Sequence, residues 1–401
     1  MAKRKIQKPT RFERMYKVWD YLRKNTDRRH PTSIAKMRKD ENINAYIGDK
    51  ETINRLLKDM ANIMNLEDGG SDYKPEAEWR LYFDDFKKFY GDKERYERDD
   101  SDEDDSYIAN VMRIKNLYYN RTFSEKEVDS IIEGIMATRT LDSKSAQELV
   151  RKVEDNMTTV FYKRTPRHIC KVQEPELADR ELLKDNLAII QKAIDDNVRI
   201  QFRFNGYSYE KKLEPVREES DELSPYYIVA SGGKYYLLAA KEYEDYKPDM
   251  SIWRIDLMTD IEIPGRNDRL HIKGIPRIPK KNVSNLPEKW SEDFQLKHLN
   301  MSFDKPVPVT LRIKSEKCEG NPKKRVRPGY TFLHDWFGDS FTYIRTEKEP
   351  PYDDIVRVEC SPYGMAHWAL QYSELVEVLE PESLREDIKS KIKALNEKYS
   401  L

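Results

Sequence analysis

The sequence predicts a multidomain α+β protein: a small N-terminal helical unit, a helical connector, a strongly bent sheet or barrel, and an α/β C-terminal extension. Three observations predict it. The chain has 401 residues, enough for two to four domains at roughly 100 to 200 residues each. Apolar residues recur at helical spacing through the first 65 positions, whereas from Val198 they alternate with period two between turn signals. Two stretches interrupt regular structure. Seven of the nine residues from Glu97 to Asp105 are acidic, and Pro264, Pro276, Pro279 and Pro287 fall close together. The expected boundaries are 1–96, 97–178, 179–270 and 271–401.

Composition narrows the function. Charged residues reach 36% against 38% hydrophobic, which marks a heavily solvated chain, while 25 Tyr, 13 Phe and 6 Trp exclude disorder throughout. The net charge of 72 − 73 = −1 argues by itself against a nucleic-acid binder. Its distribution argues otherwise. Residues 1–40 hold fourteen Lys or Arg and four Asp or Glu, a local charge of 14 − 4 = +10, and phosphate attraction follows local charge.

No apolar run approaches the roughly 18 to 20 residues of a membrane span, and the basic N-terminus lacks the apolar stretch of a secretory signal. Cys170, Cys318 and Cys360 lie far apart, which fits a reducing cytoplasm and excludes a disulfide framework or zinc module. The six histidines form no ligand-spaced pair, and GxxxxGK[ST], GxGxxG, HExxH and GxSxG are absent. No enzyme, metal or cofactor is expected.

Phe12, Met15, Tyr16, Trp19 and Leu22 place a helix at about 10–24. Thr32 is positioned to cap a short helix with Ile34, Ala35 and Met37, and a polar turn with Gly48 follows. The next helix, about Lys50 to Met64, buries Ile53, Leu56, Leu57, Met60 and Ile63. Its other face shows Lys50, Thr52, Asn54, Arg55 and Lys58. Asp68-Gly69-Gly70 and the segment Glu78–Tyr82 read as a β-wing. Together these elements form a winged helix-turn-helix, whose recognition helix enters the major groove of double-stranded DNA. Arg can bridge guanine, Asn can pair adenine, and Thr and Lys reach phosphate, so the five residues of the outer face are the expected DNA contacts.

From Tyr107 to about Asn156 the chain reads as helical, with Ser124 and Glu127 as a capping box and Val128, Ile131, Ile132 and Ile135 as its stripe. A helix at Asp179–Asp195 leads into a strand at Val198–Phe204. A hairpin follows, Tyr226–Ala230 and Tyr235–Ala240 around Ser231-Gly232-Gly233-Lys234, then a strand at Ser251–Asp256.

In these residues, Leu223-Ser224-Pro225-Tyr226, Lys234-Tyr235-Tyr236-Leu237 and Trp253-Arg254-Ile255-Asp256, the chain resembles the WYL domain. The resemblance continues through Val309–Ile313, His334–Gly338, Trp368–Tyr372 and Val376–Arg385, and with the winged helix in front it extends to the WYL-domain transcriptional regulators of bacteria. It implies an SH3/Sm-like β-barrel that senses a nucleotide or single-stranded nucleic-acid fragment, with Tyr226, Tyr236 and Arg254 in the pocket and Ser224, Lys211 and Lys234 beside it. A guanidinium beside tyrosine rings is the chemistry for a phosphate next to a base. Tyr235 replaces the signature Trp, and Leu257 stands where the family usually has a second arginine.

The C-terminal extension reads as strand, helix, strand, helix, with a helix around Trp368 and a final one carrying Leu384, Ile388, Ile392 and Leu395. The resemblance implies that it helps build a homodimer. Lys323–Arg327 reads as a basic loop. The expected function is a ligand-responsive DNA-binding transcriptional regulator, preferably a repressor. The alternative is an accessory protein that binds single-stranded nucleic acid without operator specificity.

Overall fold

The computed structural model describes residues 9–67, 74–84, 114–138, 141–164, 180–243, 245–291, 293–314, 317–318, 321–325 and 329–399. The acidic run and the Asp68-Gly69-Gly70 turn lie outside them. The chain forms two compact units, Met1–Glu174 and Pro175–Leu401. Among the described residues no helix is long and apolar enough to cross a membrane.

The first unit opens with α1 (Arg11–Asn25), started by a Thr10–Glu13 capping box and burying Val18 and Leu22. α2 (Ile34–Met37) is capped by Ser33, whose hydroxyl accepts from the Lys36 amide, and not by Thr32. Thr32 is buried and exchanges two main-chain hydrogen bonds with Leu117, at 2.7 and 3.0 Å. Where a polar turn is expected, the chain forms α3 (Glu41–Ile47), capped by Asp40 and burying Ile43 and Ile47. α4 (Lys50–Asn65) follows, capped by Asp49.

The buried face of α4 is wider than its apolar stripe. Ile53, Leu56, Leu57 and Met60 are buried as expected, but Asn54, Ala61 and Asn65 are buried too, while Ile63 is 70% exposed. The cause is a strand. Asn65 donates to the Leu81 carbonyl (2.8 Å) and accepts from the Arg80 and Leu81 amides, so the packed face of α4 turns toward β1 (Leu81–Tyr82). β1 pairs antiparallel with β2 (Tyr118–Tyr119), beyond the acidic run in sequence. Ile114 and Leu117 share the core of Val18, Leu22, Trp79 and Phe83. The acidic run is therefore flanked on both sides by one core, where a boundary between domains was expected.

The expected helix from Tyr107 resolves, over its described part, into β2, α5 (Glu125–Ala137) and α6 (Ser143–Met157). The Ser124–Glu127 capping box is present. Val128 and Ile132 bury against Val150 and Val153, with Ile131 and Ile135 half-buried beside them.

The second unit begins with α7 (Arg180–Asp196), then β3 (Ile200–Tyr207), β4 (Leu213–Pro215), β5 (Asp221–Ser231), β6 (Lys234–Ala240), β7 (Met250–Arg254) and β8 (Met258–Glu262). The sheet order is β4-β3-β5-β6-β7, and β8 returns to pair with β3, so the sheet curls into a half-barrel. Gly232 and Gly233, at φ +54° and +74°, make the β5–β6 turn with the primed geometry that matches strand twist. A turn at Ile255–Leu257 joins β7 to β8. Buried Asn186 on α7 closes it, donating to the Ile255 and Met258 carbonyls at 3.2 and 2.8 Å. Leu237, Ala239, Phe202 and Met258 form the core under α7, with Tyr235 and Trp253 packed against it.

The extension is richer in strands than expected. β9 (Val307–Ile313), β12 (Thr342–Thr346), β13 (Asp354–Cys360) and β14 (Val376–Glu380) form an antiparallel sheet ordered β12-β13-β9-β14. With α9 (Thr331–Phe337) after β9 and α10 (Pro362–Gln371) after β13, this is a βαββαβ unit. β10 (Lys317–Cys318) and β11 (Asn321–Arg325) form a separate hairpin, so Lys323–Arg325 lies on a strand and not in a loop, while Val326 and Arg327 lie outside the described residues. α11 (Glu382–Tyr399) buries Leu384, half-buries Ile388, and leaves Ile392 and Leu395 exposed.

A bridging segment with α8 (Phe294–Lys297) connects the two sheets, and the Lys297 carbonyl accepts from the Ser361 amide at 2.7 Å. Gly364 on α10 sits so near Leu299 that a Cβ would meet its carbonyl oxygen at 2.7 Å. His298 in this segment is buried, stacks on Phe294 at 4.1 Å and bonds the Ser302 carbonyl at 2.7 Å. Burial holds its pKa below the usual value, near 6.5. The unfolded chain therefore takes up a proton there at higher pH than the folded one, and stability is lost as the pH falls below about 6.5. Thermal melts of H298F between pH 7 and 5 are expected to show a shallower acid-side decline than the parent; an equal slope assigns the decline to another group.

Candidate functional site

Two groups of residues bear on function, one in each unit. On α4, Asp49 accepts from the Thr52 amide at 2.7 Å and fixes the start of the helix. This leaves Lys50 and Arg55 exposed, with Thr52 and Lys58 half-buried. Arg55 pairs with Glu51 one turn back at 2.8 Å, both side chains about half exposed. Such a pair is worth little, so a phosphate or base edge can replace Glu51 at small cost. Arg38, after α2, is exposed and donates to the Gly48 carbonyl at 3.0 Å, which sets a further cation near the start of α4. Its signal was the Arg38-Lys39 pair in sequence.

Asn54 does not belong to this surface. It is fully buried on the side of α4 that carries Ala61 and Asn65, so its amide has no path to a base edge. A polar residue beside an apolar stripe reads as exposed until the packed face is known.

In the half-barrel the expected pocket residues fall into two sets. Ser224 and Tyr226 are 1% and 2% exposed. A bulge between Pro225 and Tyr227 takes Tyr226 out of register with β6 and re-aims its side chain. The Tyr226 hydroxyl donates to the Ile278 carbonyl at 2.7 Å, and the Ser224 hydroxyl accepts from the Ile278 amide at 3.1 Å. Arg277 lies over the Tyr226 ring at 5.0 Å and donates to the Pro225 carbonyl. Both residues therefore clamp a proline-rich segment onto β5, and neither reaches solvent to meet a ligand.

Tyr236 and Arg254 are directly opposed across β6 and β7, and Lys234 precedes Tyr236 by two positions, on the same face. The opposite face carries Tyr235, Leu237 and Trp253 into the core, so alternation along β6 separates the two signature tyrosines. The Arg254 guanidinium is held by Asp256, Nε to Oδ1 at 3.1 Å and Nη2 to Oδ2 at 2.5 Å. Asp256 is 2% exposed at its side chain and Arg254 29%. Burial weakens the Arg254 charge, but the Asp256 carboxylate outweighs it and raises the pKa. Nη1 is the nitrogen left for an outside acceptor. Tyr207, at the end of β3, lies near Arg254, and nothing local in the sequence ties it to this place. Lys211, exposed on the β3–β4 turn at φ +63°, makes no contact with this group among the described residues. Leu257, in the position of the expected second arginine, is buried, and its carbonyl accepts from Asn205 at 3.0 Å.

No curated protein matches the chain in sequence. Among solved structures, proteasome accessory factor B/C (PafBC) of Arthrobacter aurescens is 16% identical with a TM-score of 0.21, over 72% of this chain and 40% of that one. A CRISPR Cas-related protein is 13% identical with a TM-score of 0.30, over 87% of this chain and 86% of the other. The chain thus spans less than half the length of PafBC. Residues 305–395 match the WCX domain, so the βαββαβ unit that closes the second unit is a WYL-related domain.

Proposed function

We propose that this chain is a ligand-responsive DNA-binding transcriptional regulator, acting as a homodimeric repressor, with α4 as the recognition helix and the half-barrel as an SH3/Sm-like WYL sensor for a nucleotide or nucleic-acid fragment. The observation that carries this reading is the WCX match at residues 305–395, in a chain whose first forty residues hold a charge of +10. The exposed Lys50 and Arg55 on a capped helix support it. In the sensor, Arg254, Tyr236 and Lys234 supply a cation, a ring and a second cation on one face. Ligand there shifts the population between two arrangements of the DNA-reading elements and so changes operator affinity.

The test is a binding titration against duplex from the gene's own upstream region, random duplex, and single strands. Upstream duplex is expected to bind at least tenfold tighter than the other two. Equal binding to random duplex, with tighter binding to single strands, replaces this reading with the accessory-protein one. Within the same titration, R55A is expected to weaken the upstream duplex by about 1–3 kcal/mol for its lost base contact. K50A is expected to weaken all duplexes alike and to reduce the salt dependence. N54A is expected to lower the melting temperature of the first unit, because its side chain is buried.

A further inference from the structure

The first unit carries a partly open cleft of about 680 Å³, bordered by the α1–α2 turn, the residues after β2, the first turn of α5 and the residues after α6. This is within the range of small-molecule sites, roughly 300 to 1,000 Å³. Of the residues that support the function proposed above, only Arg28 and Arg29 of the basic N-terminal stretch line it. Its walls combine apolar side chains, among them Phe123 and Met157, with charges of both signs.

The donors and acceptors on those walls do not balance. Asp27 accepts from the Arg29 and His30 amides at 2.7 Å and faces the His30 ring at 3.0 Å. Glu127 accepts from the Ser124 amide at 2.7 Å, Asp129 accepts from the Tyr162 hydroxyl at 2.5 Å, and Glu125 faces Arg29 at 4.0 Å. The carboxylates are thus engaged. Arg28 and Lys126 are exposed and make no ion pair among the described residues. Arg121 gives Nη1 to the Thr26 carbonyl at 3.2 Å, while its Nε and Nη2 are shielded from solvent and meet no acceptor. Burial holds its pKa below the usual value, with Asp27 and Glu125 attracting its charge and Arg23 repelling it. A guanidinium shielded from water with two nitrogens that meet no acceptor is unfavourable until one is supplied.

We propose that this cleft binds a small organic anion, its oxyanion head at Arg121 and Arg28 and its apolar body against Phe123 and Met157. The shared chemistry is a carboxylate or phosphate on an aromatic or aliphatic body. The site is distinct from the Arg254 face and from the outer face of α4.

Calorimetric titration of the full chain with benzoate, phenyl phosphate and benzyl alcohol tests it and separates the two kinds of head. At least one anion is expected to saturate a single site, with benzyl alcohol at least tenfold weaker. R121Q is expected to reduce that affinity at least tenfold and R28Q several-fold, whereas Y236F, in the second unit, leaves it unchanged. Arg28 is exposed, so R28Q folds even if R121Q does not. The proposal is overturned if neither anion binds below 10 mM, if benzyl alcohol binds equally well, or if Y236F abolishes binding while R28Q retains it.

Discussion

Replacing Trp368 with alanine is expected to cost the second unit about 3–5 kcal/mol, the range for deleting a large aromatic from a packed core. Trp368 is fully buried and central to its surroundings. Phe337 meets its ring edge-on at 5.2 Å, Tyr372 lies at 5.1 Å and Phe332 at 6.0 Å. Three rings held by one cannot all collapse into the space it leaves, so most of the cavity persists. Trp368→Phe is a milder change, expected below about 2 kcal/mol. It keeps the aromatic contacts and removes an indole N–H that meets no acceptor among the described residues, and such a group is itself costly to bury. Denaturant unfolding of the three proteins checks this. Equal losses for Ala and Phe would show that the site repacks freely and that the ring is not the keystone of the βαββαβ core.

The Arg254–Asp256 pair gives the second large effect, and its two halves are expected to differ. R254Q leaves a carboxylate that is 2% exposed without its cation, and about 3–5 kcal/mol is expected for breaking a buried pair from that side. D256A leaves a guanidinium that still has 29% of its side chain in solvent, so about 1–3 kcal/mol is expected, reduced by screening. The double variant Arg254→Met, Asp256→Leu is expected to recover most of the loss, since neither charge is then stranded. Unfolding curves for all three test the ordering. A loss below about 0.5 kcal/mol for R254Q would mean that the pair does not form in solution. The same variants bear on sensing. If Arg254 holds a ligand through Nη1, the double variant keeps upstream-duplex binding but loses any response to nucleotide; if it loses duplex binding while still folded, Arg254 acts on DNA reading by another route.

Much of this architecture was legible because it is local. The capping box at Ser124, the Ile53, Leu56, Leu57 and Met60 part of the α4 stripe and the glycine turn between β5 and β6 each depend on residues within a few positions, and all appear where the sequence places them. What was missed depends on distance. Nothing near Leu81 announces that its partner is Tyr119 or that Asn65 bonds its main chain, and the local pattern of α4 does not reveal that Asn54 is buried and Ile63 exposed. α3 escaped notice because seven residues with two isoleucines four apart carry too little pattern. In the half-barrel, Tyr226 and Tyr236 have the same chemistry and similar neighbours in sequence. Only the bulge on β5 and the segment at Ile278 decide that one tyrosine is a clamp and the other stands opposite Arg254.

The pairing of β1 with β2 also changes what the acidic stretch between them can do. Tyr82 and Tyr118 are register partners, so the described residues on either side of the stretch meet at one point. A cut within it would leave two fragments still joined by strand pairing, by the Thr32–Leu117 bridge and by a common core. The first unit is in this sense a non-contiguous module, held together by residues on both sides of the acidic stretch.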